Sequence, residues 1–244
     1  MLTGIARYVQ MSGAWSSSDT GCAIAVSASS DAMVSVTPLG SGFGIVLSEG
    51  LISAVATMCE LRYLHRLADA KRPSRPQIAA AQLANQFRQR RTVSPIDVGT
   101  AIPPPIHRSK GLALLFLVLH ELGHIANGDV QKAPISERLA IESMQGSHAA
   151  QFSEAAADAF AADALLNVAS VVNDRSEFIA DLLSGVSALF ETLDLLETAS
   201  NPDESHPYAV WRMATVSEQI EEGTGAAVLN RIAQGSSGFW YTDI

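Results

Sequence analysis

Residues 109–128 read SKGLALLFLVLHELGHIANG, and most of the fold follows from that stretch. Every position from Leu112 to Leu119 is apolar, Ser109 precedes the run as a helix N-cap and Gly128 follows it as a stop. The pattern predicts a buried helix over about 110–126. Into its last turns the sequence places His120, Glu121 and His124. At 3.6 residues per turn, His124 lies about 40° round from His120 and Glu121 about 100°, so the three project within one quadrant. Imidazoles and a carboxylate in an otherwise apolar helix carry a desolvation cost unless they are paired or coordinated. The spacing is HExxH, in which two neutral imidazoles can reach one Zn²⁺ at ~2.0–2.1 Å while the carboxylate stands beside a metal-bound water rather than on the metal.

A catalytic zinc takes a third protein ligand and keeps one position open. The extended HExxHxxGxxH arrangement would need Gly at 127 and His at 130, where the chain has Asn127 and Val130, and Asp129 is one residue early for the variant ending in Asp. A carboxylate from a separate helix remains, and Glu154-Ala-Ala-Ala-Asp158 supplies one. Four residues apart, Glu154 and Asp158 share a helical face. Glu154 is placed to ligate, and Asp158 to accept the other ring N–H of a ligand histidine and fix its tautomer. The surrounding alanines allow two helix backbones to approach closely. Glu142 and His148 stand as competing third ligands, and His65 and His107, without ligand spacing, read as structural.

Around this centre the chain reads as α+β, a mainly helical domain with a small N-terminal antiparallel sheet. Cys22–Val26, Met33–Val36 and Phe43–Leu47 are short β-rich segments between Ser/Asp and Pro38/Gly40/Gly42 turns. Helical periodicity marks 51–70, 76–90, 148–172, 177–199 and 207–221. Thr92–Lys110, with Pro103-Pro-Pro105, reads as a surface connection. The parts form one domain over 1–244: a sheet to residue 50, helices and the Pro-rich connection over 51–110, the catalytic helices over 111–234, and a tail over 235–244 whose Phe239-Trp-Tyr241 end is expected to dock on the core.

The 244 residues carry 48% hydrophobic and 17% charged side chains, which excludes a disordered chain. The net charge of −9 argues against a nucleic-acid partner. It is unevenly spread, at −3 over 1–60, +8 over 61–110 and −14 over 111–244, so the basic 61–110 segment faces either an acidic partner or the protein's own acidic half. Cys22 and Cys59 form no CxxC pattern, no signal peptide is legible at the start, and the longest uncharged apolar run, Gly111–Leu119, is short of the ~20 residues that cross a bilayer. A cytoplasmic protein without membrane association is expected.

The HELGH helix, the ExxxD helix from Glu154, and Ser205-His-Pro207 with Arg212 downstream resemble zinc metallopeptidases of the gluzincin type. Within that clan the chain resembles the HtpX and CAAX-prenyl-peptidase-like group and the soluble Lit phage-exclusion peptidases, with a fainter likeness at Glu49-Gly-Leu-Ile52. It departs from the HtpX-like group in lacking an evident membrane helix. The resemblance implies zinc held by His120, His124 and Glu154, Glu121 as general base, Asp158 behind a ligand histidine, His206 near the metal as oxyanion donor or gate, and Arg212 orienting Glu154 or the substrate carbonyl. Tyr208 is a further candidate oxyanion donor.

The expected reaction is hydrolysis of peptide bonds in a protein or peptide substrate, which an exposed edge at Cys22–Val26 could hold by main-chain hydrogen bonds. Two alternatives belong to other classes. One is a non-catalytic or latent zinc-binding regulatory module, for which an intact Glu121 would have no use. The weaker one is a di-iron bundle, since Glu121-x-x-His124 also fits the ExxH element of such sites; no second ExxH occurs in the chain.

Overall fold

The computed structural model of the chain describes residues 21–40, 42–67, 104–130, 147–200 and 209–224, with side chains undescribed at 65–67, 147–150 and 197–200. Among these residues three strands, β1 (Cys22–Ser27), β2 (Val34–Leu39) and β3 (Gly42–Ser48), precede five helices: α1 (Glu49–Leu67), α2 (Pro104–Ala126), α3 (Ser147–Val171), α4 (Arg175–Ser200) and α5 (Ala209–Thr224). The architecture is α+β, as the residue pattern predicts.

The sheet is mixed rather than antiparallel. Strand order is β1-β3-β2, with β2 antiparallel to β3 through the Gly40 turn, where φ is +56°, and β1 parallel to β3 in the register Cys22↔Phe43 to Ser27↔Ser48. β1 and β2 run in opposite directions on either side of β3, so one pairing is parallel and the other antiparallel. Phe43, Ile45 and Leu47 are all buried, so β3 takes the centre and needs a neighbour on each side. The hairpin fills one side and leaves the other to β1, which then lies at an edge. Ser48 ends β3 and caps α1: its hydroxyl accepts the Leu51 N–H at 3.1 Å and the Met33 N–H at 2.9 Å.

Helix α2 is the axis of the molecule and packs against α1, α3 and α4. It begins at Pro104 and not beside Ser109, so the Pro-rich run is partly helix. Proline lacks an N–H that the first turn would leave unpaired anyway and brings its φ already near helical values. Ser109 is therefore not a cap. It lies buried inside α2 with its carbonyl against Gly185 of α4, where any Cβ would collide. By length and mean hydropathy of 1.2, α2 would suffice to cross a bilayer, which the nine-residue run alone did not indicate. Two thirds of that window is instead covered by the protein's own helices. At its far end Gly128 adopts φ +80°, with the Asp129 N–H bonding the His124 carbonyl at 2.9 Å, so the predicted stop holds.

Helices α2 and α3 approach closely at Gly123. A Cβ there would lie 2.9 Å from Ala157 Cα and 3.1 Å from Ala157 O. Glycine on one helix facing alanine on the other brings Glu154, one turn before Ala157, up to the histidine pair. Of the basic residues in 61–110, the three with described side chains pair within the chain: Arg62 with Glu191, Lys110 with Glu60, and Arg108 with Glu177 and Asp181. The 76–90 helix, the rest of the basic segment and the aromatic tail fall outside the described residues.

Candidate metal centre

His120 and His124 project from the last two turns of α2, and their Nε2 atoms stand 3.0 Å apart. Glu154, from α3, sets Oε2 3.4 Å from His120 Nε2 and Oε1 3.4 Å from His124 Nε2. One ligand atom from each of the three residues lies within 4.8 Å of the other two. Two donors bound tetrahedrally at ~2.0–2.1 Å sit about 3.4 Å from one another, so both Glu154 separations suit a shared zinc-sized ion. The Nε2–Nε2 separation is somewhat tighter.

The outer nitrogens explain why the inner ones are free to bind. His120 Nδ1 is 2.8 Å from Asp158 Oδ1, a contact of charge and proximity without hydrogen-bond alignment. His124 Nδ1 is 3.0 Å from Asp129 Oδ2. In the neutral rings, a proton on each Nδ1, facing a carboxylate, would leave each Nε2 with a lone pair directed toward the other and Glu154. Donor atoms converging in this way could hold a cation between them, and two nitrogens with one carboxylate oxygen are a donor set that zinc accepts.

Arg212, on α5, ties the carboxylates together. Its Nε donates to Asp158 Oδ2 at 2.8 Å, Nη2 to Asp158 Oδ1 at 2.9 Å, and Nη1 lies 2.9 Å from Glu154 Oε2. The guanidinium also sits 5.3 Å over the Phe190 ring. Sequence reading offered Arg212 two roles, orienting the glutamate or the substrate carbonyl; its position is against Glu154 and Asp158.

These contacts set the local proton affinities in the metal-free chain. Burial opposes charge on His120, but the Asp158 and Glu154 carboxylates beside it prevail and push it up to about 9. Burial likewise opposes charge on Glu154, which the two histidines and Arg212 nonetheless hold well below the usual carboxylate range. Asp158 is also lowered against its burial, by Arg212 and His120. Glu121 behaves oppositely: burial raises it, with His120 and His124 only partly offsetting the effect. It lies outside the donor cluster found among the described residues. A carboxylate with raised proton affinity next to such a cluster can accept and return a proton.

His206, Tyr208 and Glu142 lie outside the described residues, as does the side chain of His148. His107 is exposed on the first turns of α2, away from the cluster. Two contacts escaped sequence reading, Asp129 on His124 and Ser153, whose hydroxyl donates to Asp129 Oδ2 at 2.7 Å. By spacing alone, Asp129 reads only as a metal ligand one residue out of place. Its position just past a glycine helix stop, five residues after His124, was the available signal.

Compared with known proteins, the chain matches the family model described as Peptidase U49 over residues 110–232, just over half its length and the part bearing the whole cluster. No curated protein and no solved structure matches it.

Proposed function

The chain belongs to the peptidase U49 family, and from that premise we propose that it is a zinc-dependent endopeptidase in which His120, His124 and Glu154 hold the metal and Glu121 is the general base. The observation that carries this reading is the convergence of His120 Nε2, His124 Nε2 and the Glu154 carboxylate, with Glu121 left over beside them. Zinc, when bound, lowers the pKa of a coordinated water towards ~7 and polarises a carbonyl oxygen.

The chain's own groups do the rest. Glu121 takes a proton from the attacking water as its oxygen adds to the scissile carbonyl, and returns it to the nitrogen as the C–N bond breaks, releasing a carboxylate and an amine. Asp158 holds His120 with its proton on Nδ1. Arg212 is a positioning residue that fixes Glu154 and Asp158 relative to each other. His206 and Tyr208 are proposed to steady the developing oxyanion. The edge of β1, unpaired among the described residues, is proposed to hold an extended substrate by main-chain hydrogen bonds.

The test is cleavage of an unstructured protein such as reduced casein by wild type and Glu121→Gln, with and without a chelator. Wild type is expected to cleave and to stop on chelation, and Glu121→Gln to be slower by about 10²–10⁴-fold. Equal turnover by the variant ends the assignment of Glu121, and cleavage indifferent to chelation ends that of the metal.

A further inference from the structure

The two histidines are anchored differently. His120 lies in the interior, its Nδ1 facing a carboxylate that Arg212 in turn holds with two hydrogen bonds. His124 is two residues from the end of α2, where helical hydrogen bonding runs out, and its side chain is twice as exposed, 14% against 7%. Nothing from the buried Arg212–Asp158 pair reaches its Nδ1 in the described contacts. What does reach it is Asp129 Oδ2 at 3.0 Å and Ser153 Oγ at 3.3 Å, the two joined by the 2.7 Å hydrogen bond from Ser153 to Asp129.

We propose that Asp129 and Ser153 form a latch for the outer half of the metal centre, positioning His124 with its proton on Nδ1 and its Nε2 toward the ion, and fastening the end of α2 to the helix that carries Glu154. The backbone prepares it. Gly128 at φ +80° turns the chain back so that the Asp129 N–H returns to the His124 carbonyl, and the same residue's side chain returns to the His124 ring. Ser153 immediately precedes Glu154, so one hydroxyl couples the orientation of the second ligand to the placement of the third. A ligand at a helix end has more freedom to turn away than one in mid-helix, and carboxylate partners of ligand imidazoles are worth about 10–100-fold in metal affinity.

The inference rests on the metal-site reading above, and zinc affinity separates the two. Zinc dissociation constants, from competition with a chromophoric chelator, would be measured for the full chain, Asp129→Ala, Asp129→Asn and Ser153→Ala, alongside the visible spectrum of each Co²⁺-loaded form and the melting temperature of each metal-free form. The expected result is affinity weakened about 10–100-fold in Asp129→Ala, partly restored in Asp129→Asn, whose amide oxygen still accepts the Nδ1 proton, and weakened less in Ser153→Ala. The Co²⁺ spectrum should shift in Asp129→Ala while the metal-free melting temperature stays within a few degrees of wild type. Wild-type affinity and spectrum in Asp129→Ala overturn the latch and leave the metal site standing. Equal losses in the Ala and Asn variants together with a falling metal-free melting temperature overturn it in favour of a purely structural role. A wild-type chain that binds no zinc overturns the metal site and the latch together.

Discussion

Gly123, between the two histidines in sequence and against α3 in space, offers a perturbation whose size can be worked out. In Gly123→Ala the new methyl would stand 2.9 Å from Ala157 Cα, 3.1 Å from Ala157 O and 3.2 Å from Phe160 Cβ. Non-bonded carbons prefer about 3.5–4.0 Å, so α3 must retreat by roughly 0.6–1 Å, and the atoms in the way are backbone and Cβ that cannot swing aside. Overpacking of this kind costs about 1–3 kcal/mol, while alanine in place of glycine gains a helix about 1 kcal/mol. The net change in stability is about 0–2 kcal/mol of loss. The effect on metal is larger, because Glu154 is one turn from Ala157 and ligand distances tolerate only about ±0.2 Å. Gly111 supplies the control on the same helix, since a Cβ there meets nothing within 4 Å. Denaturant unfolding and zinc competition on both variants form the assay. Gly111→Ala should gain about 0.5–1 kcal/mol and bind zinc as wild type does, whereas Gly123→Ala should gain nothing and bind zinc at least about tenfold more weakly. If Gly123→Ala is stabilised like Gly111→Ala and keeps its zinc affinity, close helix approach does not set the position of Glu154.

Three further outcomes follow from the charges around the cluster. Arg212→Met removes the guanidinium that bridges Asp158 and Glu154 and leaves His120 as their remaining shared cationic neighbour, so the metal-free protein should lose about 3–5 kcal/mol in denaturant unfolding; a loss under 1 kcal/mol would show that the guanidinium is not what offsets their burial. Glu154 and Asp158 are lowered from 4.5 and 3.8, so their contribution to stability is in place above those values and drains away as pH falls below them; metal-free wild type should therefore lose more stability between pH 5 and pH 3 than an Asp158→Asn variant does, and equal acid sensitivity would argue otherwise. His120 has the opposite sign: raised from 6.5 to about 9, it stabilises the metal-free fold fully below 6.5 and ceases to do so as pH rises through about 9. Zinc must displace that proton, so calorimetry at pH 7 in buffers of different ionisation enthalpy should register release of about one proton or more, and affinity should climb between pH 7 and 9; binding without proton release would contradict the raised value.

How much could be read in advance depended on the range of each interaction. The α2 helix, its two imidazoles and Glu121 were legible because helical period and apolar context are local, and the Glu154/Asp158 pair because i and i+4 share a face. Strand pairing was less so: β1 lies beside β3 because β3 takes the centre, which depends on how much of β3 is buried and not on the residues of β1. The start of α2 at Pro104 was open to the first-turn proline rule, which the cluster of three prolines obscured. Arg212 on Asp158 spans 54 positions and Ser153 on Asp129 spans 24. No periodicity joins residues so far apart, and only the packing of α5 and of the α2 terminus on α3 brings them together.

His120, His124 and Glu154 are proposed to share one metal ion that Glu121 does not touch, and zinc content per chain for wild type, Glu154→Ala and Glu121→Gln purified alike reads this directly. About one zinc in wild type and in Glu121→Gln, with little or none in Glu154→Ala, is the predicted result. Full zinc in Glu154→Ala, or its loss in Glu121→Gln, would contradict the ligand set.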